Sequence, residues 1–122
     1  MANRRNRRIL VSPIIGRVIE LNNYMIHHGK QAYKIVQHNY IDAMLKDGCT
    51  LFRYARRQLL GKDYAKRAVE LCEEIESMAY FIAALRGWPA KVAGDINVMT
   101  ESIISQVEAY ANSRNHKPEE VR

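Results

Sequence analysis

The stretch Tyr64–Leu85, YAKRAVELCEEIESMAYFIAAL, decides the fold. Tyr64, Ala68, Leu71, Ile75, Met78, Ile82 and Leu85 recur at spacings that alternate four and three. On an α-helix that alternation draws one apolar line; on a strand it would scatter over both faces. Lys66, Arg67, Glu70, Glu73, Glu74 and Glu76 fall off the line. The spacing predicts a helix that starts after Asp63 and ends near Gly87.

The same grammar extends in both directions. Upstream, a helix is predicted from about Gln31 to Leu60, with Gly61 as its C-terminal stop. Ile41, Leu45, Gly48, Phe52, Ala55 and Leu59 form its stripe. Gly48 costs roughly 1 kcal/mol of helix propensity relative to Ala, which a close helix crossing or a bend would account for. A first helix opens at Ser12, a good N-cap, with Pro13 at the first helical position. Ile14, Val18, Leu21 and Met25 carry its stripe, Ile15, Ile19 and Ile26 widen it, and Gly29 ends it. Downstream, Pro89 can open a fourth helix, with Asp95 as an alternative cap after Gly94. Its line is Val92, Ile96, Met99, Ile103 and Tyr110, interrupted by Gln106 beside Val107. Four amphipathic helices with short connections give an all-α, antiparallel up-down four-helix bundle. Residues 1–11 read as a basic flexible arm, 12–112 as the bundle and 113–122 as a polar tail. A chain of 122 residues is one domain by size.

Charge is divided along the chain. Residues 1–67 hold 14 of the 19 Lys and Arg and only Glu20, Asp42, Asp47 and Asp63 as acids; the remainder is net acidic, and the whole carries +6. Such a field does not choose a fold, but it favours polyanions on one side and basic surfaces on the other. Cys49 and Cys72 form no metal-type or disulfide-type pattern, so an intracellular chain is expected. No apolar run approaches the ~20 residues of a membrane span, and no signal peptide is evident. A cytoplasmic protein without a membrane partner is expected.

Catalytic motifs are absent from the sequence. There is no glycine-rich phosphate loop, GxSxG, HExxH or calcium loop. His27 and His28 are adjacent and diverge by about 100 degrees on a helix, so they cannot chelate together. His38 and His116 lack a partner three or four residues away, and no Glu-x-x-His pair supports a di-iron bundle. Neither Cys49 nor Cys72 has a His nearby in sequence, and both read as small buried hydrophobes. No enzyme activity, metal or cofactor is expected.

The second helix carries the sharper signal. Lys46, Arg53 and Arg57 fall within about 40 degrees of one another, with Arg56 on their flank. Lys62, Lys66 and Arg67 follow at the turn, and Arg4, Arg5, Arg7 and Arg8 crowd the N-terminal arm. Clustered cations of this kind are a nucleic-acid footprint; an isolated run would be a solvated face. Tyr24, Tyr33, Tyr40, Tyr54 and Tyr80 could stack on bases, but their helical spacing favours core or interface positions. Glu70, Glu73, Glu74 and Glu76 make an acidic face, either solvated and paired with Lys66 and Arg67 or a docking face for a basic protein or a neighbouring subunit.

The layout resembles the accessory variability determinant (Avd) family of diversity-generating retroelements and the related four-helix proteins of ribosomal RNA intervening sequences. The matching elements are Leu45–Arg57, the run Ala68–Arg86 with its Ala84-Leu85-Arg86 end, and the segment ending Tyr110-Ala111-Asn112-Ser113-Arg114. Where that family often has Gly-x-Trp-Ile, this chain has Val107–Ala111, and its one Trp is Trp88 in a loop. The resemblance implies a homo-oligomer, a ring-like pentamer. It also implies binding to a reverse transcriptase and to its template RNA or an RNA–DNA hybrid in support of mutagenic cDNA synthesis.

Two other functions compete with this one. A protein-only adaptor bundle would use the basic face on acidic protein surfaces. A small RNA-processing enzyme would need a catalytic His.

Overall fold

The computed structural model describes residues 12–121, with side chains as far as residue 113. The arm that holds Arg4, Arg5, Arg7 and Arg8 lies outside the described residues. The chain folds into an all-α four-helix bundle: α1 is Pro13–Gly29, α2 runs over 34–59, α3 is Ala65–Ala84 and α4 is Ala90–Val121. Helix α1 packs on α2 and α4, and α3 packs on the same two. No strand occurs among the described residues.

Each helix end has an identifiable cause. The Ile15 amide donates to Ser12 Oγ at 3.2 Å, with Pro13 at the first helical position, so the expected cap of α1 forms. Helix α2 opens at Lys34, three residues later than the Gln31 start read from the sequence. Tyr33 is extended there and donates its hydroxyl to the Leu85 carbonyl at 3.0 Å, so the chain crosses to α3 before coiling. Helix α2 then carries a π turn at Gln37–Ile41 before Asp42–Leu59 resumes α geometry. The Gln37 side chain donates back to the Ala32 carbonyl in the segment before the helix.

The ends of α2 and α3 share one design. At α2, Gly61 takes φ 95°, its amide reaches Gln58 O at 3.1 Å and the Lys62 amide reaches Arg57 O at 3.0 Å. At α3, Arg86 takes φ 60°, its amide reaches Ala83 O and the Gly87 amide reaches Ile82 O, both at 2.9 Å. Both are Schellman closures, which satisfy carbonyls that the helix leaves orphaned. The left-handed residue of the second closure is therefore Arg86 rather than Gly87. A β-carbon on Gly87 would lie 2.8 Å from Val36 Cγ1, so its small size serves packing.

The core follows the stripes with shifts. Ile14, Ile15, Val18, Leu21 and Met25 are buried on α1, but Ile19 and Ile26 are 42% and 46% exposed and do not widen the core face. On α2, Ile41, Gly48 and Ala55 are buried as expected; Leu45, Phe52 and Leu59 are half-buried, and Met44 and Leu51 take the deeper places. On α3, Ala68, Ile75 and Ile82 are buried, joined by Cys72 and Ala79. On α4, Val92, Ile96, Ile103 and Val107 are buried with Ala93 and Thr100. Helix α4 continues past residue 112 to Val121, so the polar segment extends a helix.

Cross-helix contacts fix which ends meet. Trp88 is buried in the α3–α4 connection, and its Nε1 donates to His28 O at 2.8 Å, capping the last turn of α1. Tyr24 Oη donates to Asp95 Oδ2 at 2.5 Å, joining α1 to the first turns of α4. Asn22 Nδ2 donates to Val18 O at 2.9 Å and to Gly48 O at 3.3 Å. A β-carbon on Gly48 would overlap Asn22 Oδ1, so Gly48 is the site of a close α1–α2 crossing. Among the described residues no helix is long and apolar enough to cross a membrane.

Candidate nucleic-acid interface

The seven described basic candidates separate into distinct settings. Lys46, Arg53 and Arg57 are exposed on α2. Helical rise spreads them over about 16 Å along the axis, the reach of several phosphates. Arg53 folds along its own helix, with Nη2 donating to Thr50 Oγ1 at 3.2 Å and Nη1 lying 3.7 Å from Cys49 Sγ. Arg56 is half-buried and held by contacts of its own. Lys62 is exposed in the turn.

Lys66 and Arg67 part company. Adjacent helical residues diverge by about 100 degrees, and here that difference sends them to different neighbours. The Arg67 guanidinium lies 5.0 Å from the centroid of the Tyr64 ring, and that of Arg57 lies 5.4 Å from the same centroid. Arg57 Nη1 also donates to Tyr64 Oη at 3.1 Å. Lys66 instead lines a groove of about 600 Å³ between α3 and α4, with Glu70, Glu73 and Glu108 among its walls. Lys66 and Arg67 therefore border different surfaces.

Tyr64 was legible only as a stripe residue, yet it is the hub of the basic cluster. Its backbone amide donates to Gln58 Oε1 at 2.7 Å, and Gln58 is 5% exposed. Its ring packs 5.2 Å from that of Tyr54 at 41°. The contact of Arg57 with Tyr64 crosses the Gly61 turn, so helical periodicity on either side carries no trace of it.

The ion pairs formed among the described residues lie away from the cluster, at Arg17–Glu20, His38–Asp42 and Lys91–Asp95. Lys46, Arg53, Arg57, Lys62 and Arg67 therefore have no carboxylate within 4.0 Å among the described residues. Asp47, next to Lys46, sits toward α3; burial first, and then Glu74, push its carboxyl up from the ordinary value.

The acidic face is built across two helices. Glu70, Glu73 and Glu74 are exposed, whereas Glu76 is half-buried against α4. Burial, a hydrogen bond shared with Glu101 and repulsion from Glu101 push Glu76 up to about 7, while a hydrogen bond from Thr100 opposes the rise and Glu73 adds to it. Cys72 is buried, and burial followed by Glu76, Glu101 and Glu73 pushes its thiol up to about 12. Cys49, in contrast, is exposed beside Arg53, which corrects the expectation of two buried thiols.

The tyrosines divide as well. Tyr24, Tyr40 and Tyr54 pack against the core as expected, but Tyr33 and Tyr80 are each 52% exposed. Among the described residues no three of His, Cys, Asp and Glu gather in a form that could hold a metal ion. His28 Nδ1 pairs with Gln31 Oε1 at 3.2 Å, and His38 lies 3.8 Å from Asp42.

Comparison with known proteins gives no family model, no curated protein and no solved structure that matches the chain.

Proposed function

We propose that this protein is a non-enzymatic accessory bundle that binds nucleic acid along α2 and the α2–α3 turn. The observation that carries the reading is the exposed set Lys46, Arg53, Arg57 and Arg67, with no carboxylate in ion-pair range among the described residues. These cations stand exposed without a carboxylate partner, which suits a phosphate backbone. The resemblance to the accessory variability determinant family supplies the finer reading. In it, an up-and-down bundle in the cytoplasm assembles as a homo-oligomer, a pentamer by resemblance. It binds a reverse transcriptase and its template RNA or RNA–DNA hybrid, supporting mutagenic cDNA synthesis.

Charge reversal tests this. In Arg53→Glu/Arg57→Glu two attractions become two repulsions at exposed positions. Affinity for RNA or an RNA–DNA hybrid at low salt is expected to fall by at least about tenfold, two charge-assisted contacts being lost. Unfolding free energy should hold within about 0.5 kcal/mol at Arg53 and fall by about 1 kcal/mol at Arg57, whose contact with Tyr64 is lost, while the bundle stays folded. Unchanged affinity with the fold intact would overturn the reading.

The α3–α4 groove favours a second reading. Glu70, Glu73 and Glu108 surround an apolar floor of Ala65, Val69 and Ala111, a surface suited to a basic protein segment. A protein-only adaptor would bind such a segment and ignore RNA.

A further inference from the structure

We infer that Arg57 and Arg67, tied together through Tyr64, form a preorganised clamp for one backbone phosphodiester of an RNA strand and read no base. The inference rests on the nucleic-acid reading above and specifies what one part of that face recognises.

Two guanidiniums from different helices meet at one ring, at 5.4 Å and 5.0 Å from its centroid. Each guanidinium carries a positive charge that the ring's negative face and the hydroxyl oxygen offset only in part. Asp63 stands in the same turn but makes no ion pair within 4.0 Å among the described residues. The pair is therefore an unneutralised dication, and an anion with several oxygens would neutralise it. A guanidinium has five N–H donors in a planar fork. Arg57 gives one of them to Tyr64 Oη, so most of the fork remains for an acceptor.

The clamp is held from below. Buried Gln58 fixes the Tyr64 amide at 2.7 Å, the Gly61 closure fixes the path of the turn, and Tyr54 buttresses the ring at 5.2 Å. Tyr64 is thus a positioning residue. Its ring is already engaged by two cations and a second tyrosine, which leaves it poorly placed to stack on a base.

The test uses the full chain, a single-stranded oligouridine, an abasic oligomer of equal length and poly-glutamate as probes. Arg67→Gln should lower the slope of log affinity against log salt by about 0.7, one single-strand phosphate contact. Tyr64→Leu should keep that slope but weaken binding about two- to fivefold, the worth of an exposed cation–π contact. Tyr64→Phe should recover most of the loss, because the ring remains. The Tyr64→Leu loss should be equal on the oligouridine and the abasic strand. Melting curves confirm that each variant folds.

Wild-type protein that binds the oligouridine while Arg67→Gln and Tyr64→Leu bind it equally well overturns the clamp alone. A Tyr64→Leu loss confined to the base-bearing strand overturns it in favour of stacking. Poly-glutamate binding as tightly as RNA overturns it in favour of acidic protein. Wild-type protein that binds neither strand at low salt overturns the nucleic-acid reading itself, and the clamp with it.

Discussion

Single residues in this bundle do what their surroundings allow rather than what their type prescribes. Gly48 and Gly94 are both interior helical glycines, and propensity alone would favour Ala at each by roughly 1 kcal/mol. At Gly94 a β-carbon meets nothing within 4 Å, whereas at Gly48 it would strike Asn22 and Met25. Gly94→Ala is therefore expected to stabilise the protein by about 0.5–1 kcal/mol, and Gly48→Ala to destabilise it by about 1–3 kcal/mol, in urea denaturation. Equal effects at both positions would mean that the α1–α2 crossing is not close. Arg86 gives a second contrast. It occupies a left-handed conformation at φ 60° that an L-residue adopts at a cost of roughly 1–2 kcal/mol. Arg86→Gly should raise stability by about 1 kcal/mol, read in the same denaturation experiment. Gly48 was legible in the sequence as an anomaly needing a reason. Arg86 was not, because Gly87 beside it looked like the natural closure.

At the scale of elements, the stripes disclosed four helices and most of their inward faces. What they could not disclose was anything set by a neighbouring helix. The π turn at Gln37–Ile41 adds no feature to the apolar pattern, so Met44 and Leu51 reach the core ahead of Leu45 and Phe52 without a local signal. Lys66 and Arg67 look equivalent in sequence, yet one lines the α3–α4 groove and the other reaches Tyr64. The α3–α4 contact has a consequence for pH. Glu76 meets Glu101 and Thr100 from α4 and Glu73 from its own helix, and its carboxyl rises from an ordinary 4.5 to about 7. Between those values the folded chain holds a proton that the unfolded chain has released. The contribution is fully present below 4.5 and is lost as pH rises through about 7. Asp47 is raised too and acts in the same sense, while hydrogen bonds from Tyr24 and Lys91 lower Asp95, which acts in a window below its ordinary 3.8. The melting temperature should therefore fall from about pH 5 to about pH 8, and Glu76→Gln should flatten the fall and raise the value at the upper end. A variant with the wild-type pH profile would show that the two carboxyls do not interact.

The whole molecule presents a basic α2 face and an acidic α3–α4 face, joined by one core. Along the chain the charge divides in the same order, with Lys46, Arg53 and Arg57 exposed on α2 and Glu73, Glu76 and Glu101 interacting across α3 and α4. The thiols offer a direct view of where a ligand sits. Cys49 is exposed beside Arg53, and Cys72 is buried with its thiol pushed up to about 12. A thiol reagent should therefore mark one face of the native protein. The decisive measurement is the rate of Cys49 labelling with and without saturating RNA, at low and at high salt. If α2 is the interface, RNA slows labelling several-fold at low salt, and the protection disappears as salt releases the strand. A labelling rate unchanged by RNA that is demonstrably bound would contradict this and place the strand on another surface.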